Sequence, residues 1–218
     1  MLLYHFLPAK YALLALERQR LKVARINDLN DPFELFCADM RDAKARRGFR
    51  EFKDQISAKF GFLCFCRRWQ NLLLWSHYAD RHRGAALEVE IGDDVAMPVN
   101  YTNARVQWNA QEIMSSGGFS LEHVDVITTT KSDHWAYEQE VRAAVPLEGD
   151  QAEDGLYFSP VPIKGIVIGA CSNISAARIR TALPRGGSVK VTHARLAFKS
   201  FNVVRRKDIP VATIRRSR

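Results

Sequence analysis

Glu138, Glu140 and Arg142 alternate along the segment Trp135-Ala136-Tyr137-Glu138-Gln139-Glu140-Val141-Arg142. On a strand, a spacing of two sets them in one row, with Val141, Ala143 and Val145 facing the other way. Two adjacent carboxylates ahead of a guanidinium can polarise a hydroxyl or stabilise a cationic transition state. The same row also suits an exposed ion-pair ladder on a half-solvated strand. A second cluster, Trp75-Ser76-His77-Tyr78 with Asp80 and His82 after it, brings aromatic rings and imidazoles together. His77 and His82 are five apart, whereas a helical metal pair needs i, i+4, so a core or pocket wall is the expectation. His5 lies between Tyr4 and Phe6 at the start of the chain, and Asn30-Asp31-Pro32-Phe33-Glu34 is a rigid polar turn able to meet a ligand.

These groups need a scaffold, and the pattern supplies one. Residues 2–6 read as a strand, and Pro8 suits the first turn of the helix that follows. Residues 21–26 alternate as a short strand running into the turn, where Pro32 keeps Asp31 extended. Phe49, Phe52, Ile56 and Phe60 form a helical stripe ending near Lys59, ahead of an apolar strand over 62–66. Asn71 caps a short helix, and Ala85, Leu87, Val89 and Ile91 alternate as a strand. A strand pair is expected over 99–108, a helix over 121–130, and strands over 138–145, 156–159 and 163–168. Ser172 or Asn173 should cap a helix running to Leu183, with strands over 189–196 and 201–204 closing the chain. Strands outnumber helices and mix with them irregularly, which argues an α+β fold with mostly antiparallel sheets and flanking helices.

The 218 residues are 47% hydrophobic and 26% charged, which excludes a disordered chain, a collagen-like repeat and a disulfide miniprotein. The expected organisation is one domain over 1–204 and a basic tail over 205–218. That tail holds six basic residues and one acid, and carries much of the net charge of +8. A second basic stretch runs from Arg41 to Lys53. Either could meet nucleic acid, or simply form a solvated surface. Cys37, Cys64, Cys66 and Cys171 lack zinc-site spacing and are expected as reduced thiols. With no bilayer-length apolar run and no signal-peptide pattern at the start, the expectation is a cytoplasmic protein without membrane contact.

Taken in order, Tyr4-His5-Phe6, Asn30 to Glu34, Leu73 to Ala79 with His82-Arg83-Gly84, and Trp135 to Arg142 form a specific combination. With it, the chain resembles an uncharacterised bacterial family, domain of unknown function 2971, over roughly residues 2–183. Residues 163–169 resemble that family's closing segment. The family in turn resembles, more distantly, the ADP-ribosyltransferase fold, a split antiparallel sandwich with an early His, a middle Tyr or Ser motif and a late Glu. Here those positions fall to His5, Tyr78 and Glu140, although the Ser-Thr-Ser middle motif is replaced by Phe65-Cys66-Arg67. The resemblance implies a toxin or phage-defence enzyme that takes NAD⁺ as substrate, needs no metal and modifies a protein or nucleic-acid acceptor. Glu140 and Glu138 would be catalytic together with Tyr78. His5, Tyr4, Arg25, Trp75, Ser76 and His77 would hold NAD⁺, with Asn30 and Asp31 near the acceptor. The other reading is a non-catalytic nucleic-acid-binding or regulatory module that uses the basic helix and tail.

Overall fold

The computed structural model describes residues 1–39, 41–108, 119–147, 152–153 and 155–217. The fold is α+β with a mostly antiparallel mixed sheet system. The first half holds β1 (Leu2–Leu7), α1 (Ala9–Arg18), β2 (Arg20–Lys22), β3 (Ala24–Arg25), α2 (Ala43–Lys59), β4 (Phe60–Cys66), α3 (Leu72–Tyr78), β5 (Ala85–Glu90), β6 (Met97–Pro98) and β7 (Asn100–Thr102). The second holds α4 (Leu121–Thr129), β8 (Thr130–Ser132), β9 (Glu140–Pro146), β10 (Ala152–Glu153), β11 (Leu156–Pro160), β12 (Ile163–Ile168), α5 (Ala176–Ala182), β13 (Ser188–Leu196), β14 (Val203–Arg205) and β15 (Ala212–Arg215). Among the described residues no helix is long and apolar enough to cross a membrane.

Where the sequence suggests one domain, the chain divides into two compact units. Unit 1 is Met1–Leu21, Phe65–Ala96 and Phe158–Arg218, and unit 2 is Lys22–Cys64 and Met97–Tyr157. In unit 1, β5 pairs antiparallel with β1, from Leu2↔Glu90 to Leu7↔Ala85, and with β12 on its other edge. With a neighbour on each side, β5 is buried from Ala85 to Val89, as its apolar composition requires. β12 and β13 are parallel, a pairing that needs a crossover, and α5 lies in it. Ser175, rather than Ser172 or Asn173, caps α5, its side chain accepting from the Arg178 amide. Glycine is required at Gly84, where a Cβ would stand 2.0 Å from the Leu7 carbonyl oxygen. The segment 205–218, set apart by its charge as a tail, instead contributes β15 to the edge of β13, with Val189 opposite Ile214. Ile214 is buried, and that one apolar anchor plus a hydrogen-bonded ladder outweighs the polar look of the sequence.

Unit 2 packs α2 through Phe49, with Phe52 and Ile56 beside it, onto Ile26, Leu35, Phe62 and Ile127. β9 lies between β4 and β6, with Met97 opposite Arg142. The strand expected from Glu138 begins only at Glu140. Asp133–Glu138 is a 3₁₀ helix, and Gln139, at φ 45°, turns the chain into β9. The strand pair expected over 99–108 becomes β7, which runs parallel to β8, and a single bridge between Ala38 and Val106.

Candidate functional site

Five charged side chains converge inside unit 2. Arg142 donates from Nε to Glu140 Oε1 at 2.8 Å and from Nη2 to Glu140 Oε2 at 3.1 Å, a two-pronged pairing. Its Nη1 reaches Glu34 Oε1 at 2.5 Å and the Thr128 carbonyl at 2.8 Å. Lys131 Nζ donates to Glu138 Oε2 at 2.8 Å and to Glu140 Oε2 at 3.2 Å, under the Trp135 ring. Relative exposure runs from 1% for Arg142 to 7% for Lys131, so this is no solvated ladder. Alternation places Glu140 and Arg142 in one row of β9, and the left-handed turn at Gln139 lets Glu138 meet the same ammonium. The Asp31–Phe36 turn delivers Glu34: Glu34 N–H donates to the Asp31 carbonyl, and Leu35 takes φ 61°. A buried leucine in the left-handed region stores strain of the kind found at functional sites.

Burial pushes the Glu140 carboxyl up, but the guanidinium of Arg142 and the ammonium of Lys131 overturn that and hold it below the ordinary value. At Glu34 burial wins over the attraction of Arg142, and its carboxyl is raised. Two carboxylates on one guanidinium are thereby pushed apart, the pattern that separates an acid from a permanent anion. Lys131, despite burial, is held above the ordinary range by Glu140 and Glu138. Tyr101, whose hydroxyl accepts from the Glu140 amide at 2.8 Å, is pushed to about 12 by burial. The Cys64 thiol is likewise raised by burial, then by Glu140. A cavity of about 220 Å³ opens beside the cluster, with Asp31, Glu34 and Lys131 in its wall and Thr102, Arg105 and Ser132 across from them.

The remaining expected site residues are spread over both units. Asp31 is buried at the cavity wall, its Oδ1 accepting from the Phe33 amide at 2.9 Å, whereas Asn30 is exposed. Arg25 is exposed on β3, its guanidinium over the Tyr157 ring. Tyr4, His5, Trp75, Ser76, His77 and Tyr78 all belong to unit 1. Tyr4 donates to Glu88 Oε2 at 3.3 Å, and burial followed by that carboxylate raises its phenol to about 12. His5 meets Phe65 edge-on at 5.8 Å. Trp75, expected among the residues holding NAD⁺, is fully buried, edge-on to Phe6, with Nε1 donating to the Trp69 carbonyl at 2.5 Å. Its ring faces are spent on the core. Ser76 Oγ donates to the Leu72 carbonyl and lies 3.3 Å from His82 Nε2. His77 is exposed and Tyr78 half-buried at the end of α3, their rings 6.1 Å apart.

Glu34 and Lys131 are the site residues that sequence reasoning passed over. Glu34 ends the polar turn already singled out, and its position directly after an aromatic residue was the available signal. Lys131 sits in the run Thr128-Thr129-Thr130-Lys131-Ser132, which has no apolar rhythm to mark its lysine as buried. Among the described residues, no group of three or more His, Cys, Asp or Glu converges as metal ligands would. Comparison of the chain with protein-family models, with curated proteins and with solved structures finds no match.

Proposed function

We propose that the chain is an ADP-ribosyltransferase-like enzyme that cleaves the nicotinamide–ribose bond of NAD⁺ and passes the ADP-ribosyl group to water or to a protein or nucleic-acid acceptor. The observation that carries the reading is the charge of the buried cluster, in which three carboxylates (Glu34, Glu138 and Glu140) face two cations (Lys131 and Arg142) beside a cavity. Departure of nicotinamide leaves an oxocarbenium-like ribose, and a fixed, dry carboxylate stabilises positive charge far better than water-screened groups do. Glu140, held ionised by its cations, supplies that charge, and Glu138 orients the acceptor. A role in toxicity or phage defence belongs to the same proposal.

The test is nicotinamide release from NAD⁺, with and without cell lysate as acceptor source. Glu140→Gln should lower turnover on the order of 10²–10³-fold, and Glu138→Gln should spare hydrolysis more than transfer. Because both side chains are buried, each variant is first shown to be folded by its thermal melt at the assay temperature. A folded Glu140→Gln protein as fast as wild type, or no release by wild type, overturns the proposal.

The second reading, a nucleic-acid-binding module, draws on one feature of unit 1. Phe198 and Phe201 are 89% and 92% exposed in the β13–β14 connection, with Arg195, Lys199, Arg205 and Lys207 nearby in the chain. Exposed rings among cations suit stacking on unpaired bases. Phe198→Ser with Phe201→Ser should then abolish single-strand binding; unchanged binding removes this reading.

A further inference from the structure

A groove of about 520 Å³ in unit 1 is lined by Lys10, Leu13, Leu14 and Glu17 of α1, with Ala177 and Arg178 of α5 among its other walls. From Tyr11 to Leu16, α1 carries six apolar residues in succession. Ala12, Ala15 and Leu16 are buried in unit 1, whereas Leu13 and Leu14 are only partly covered and Tyr11 is 52% exposed. A helix docks on its own domain with a single apolar stripe, and one that is apolar all round is covered all round. The described residues cover α1 fully on one side only. Lys10 rests 5.7 Å from the centre of the Tyr11 ring, and neither it nor Glu17 forms an ion pair with another described residue.

The order of residues along the groove selects what covers it. Lys10, Leu13, Leu14 and Glu17 follow the i, i+3, i+4, i+7 spacing of one helix face, a leucine pair between opposite charges. Read backwards, that face is its own complement. Two copies of α1 packed antiparallel about a point between Leu13 and Leu14 set Lys10 of each against Glu17 of the other, with leucine on leucine between them. A two-fold interface requires this, because one patch must meet itself. Charges so placed also fix the register of the two helices. We infer that the groove between α1 and α5 is the interface of a homodimer, filled by α1 of a second copy in antiparallel orientation. Ala177, whose side chain is a single methyl, leaves the second helix room to approach. The ten residues of α1 span about 15 Å, so the contact is small and a micromolar or weaker dissociation constant is expected. The inference rests on unit 1 alone and does not depend on chemistry at Glu140, which lies in unit 2.

The experiment is sedimentation velocity of the full chain from about 1 to about 500 µM, a range that brackets such an affinity. The sedimentation coefficient should climb with concentration from that of a monomer towards that of a dimer. Lys10→Glu and Glu17→Lys each set like charges together at both ends of the interface, and each should weaken the dimer about ten-fold or more. The double variant, Lys10→Glu with Glu17→Lys, restores opposite charges in reversed order and should return the affinity to within about three-fold of wild type. Leu13→Asp brings two carboxylates together near the two-fold axis and should abolish the dimer. Melting temperatures taken at the lowest concentration check that each variant is folded. A wild type that stays monomeric throughout overturns the inference, as does a dimer that the single charge reversals leave unchanged. A double variant as weak as the single ones overturns it too, since only a self-complementary interface is repaired by exchanging its own two charges.

Discussion

β5 of unit 1 and β9 of unit 2 are both buried strands, yet they are buried by opposite means. β5 reads Ala-Ala-Leu-Glu-Val-Glu, and its burial is that of small and branched apolar groups hydrogen-bonded to a neighbour on each side. Its buried acid, Glu88, reaches Lys190, whose side chain is 46% exposed. β9 reads Glu-Val-Arg-Ala-Ala-Val-Pro, and its first and third residues carry full charges into the interior, where opposite charges and the Thr128 carbonyl meet them. Hydrophobic transfer rewards the first strand directly. The second is tolerated only because each charge has partners, and such a cluster adds little stability over an apolar core of the same shape.

That contrast can be broken from either side, and the largest effect belongs to Arg142. Arg142→Met leaves Glu34 and Glu140 buried with Lys131 as the one remaining cation of the cluster, and removing one partner of a buried pair costs about 3–5 kcal/mol. A typical domain has roughly 5–15 kcal/mol in all, so urea unfolding should move to a much lower midpoint. A loss below about 1 kcal/mol would mean that water already reaches the cluster. Unit 1 should be insensitive to charge and sensitive to volume. Gly84→Ala places a methyl against the Leu7 and Ala79 carbonyl oxygens, backbone atoms that cannot step aside, and overpacking costs typically 1–3 kcal/mol. An alanine variant as stable as wild type would show that the β1 end is loose.

The same contrast explains what could be read from the chain before folding. β1, β5, β12 and the α2 stripe follow from apolar period alone, and Asn71 does cap α3 by accepting from the Leu73 amide. Period two also placed Glu140 and Arg142 in one row. It could not say whether that row faced water, because alternation of charged with apolar residues reads the same on an exposed strand as beside a buried counter-charge. The counter-charges are remote in sequence: Glu34 lies 108 residues from Arg142. Such partners are visible only once the strand order is known. Trp75 shows the complementary ambiguity, since an aromatic ring near a histidine looks alike as a pocket wall and as core.

The two carboxylates on Arg142 give a pH signature of opposite signs. The Glu140 carboxyl is lowered on folding, so its contribution is complete above about pH 4.5 and is lost as pH falls through its folded value. The Glu34 carboxyl is raised, so its contribution is complete below about pH 4.5 and is lost as pH rises through its folded value. The stability deficit of Glu140→Gln should therefore shrink on acidification, while that of Glu34→Gln should shrink as pH rises towards neutrality. One proton limits either slope to about 1.4 kcal/mol per pH unit. Parallel slopes for the two variants in urea unfolding between pH 3 and pH 7 would remove the acid-and-anion distinction.

The smallest expected effect is the control in unit 1. Lys190→Met removes the ammonium 2.5 Å from Glu88 Oε1, but Glu88 Oε2 keeps the Tyr4 hydroxyl at 3.3 Å. Because Lys190 is half-exposed, water replaces much of what the ammonium gave, and the loss should be at most about 1 kcal/mol. Salt should screen the wild-type pair and narrow the difference further, whereas the Arg142 deficit, being dry, should persist in molar salt. Measuring both variants in low and high salt thus separates a solvated pair from a buried one. Equal salt dependence would place β5 and β9 in the same electrostatic environment and dissolve the contrast from which the site was argued.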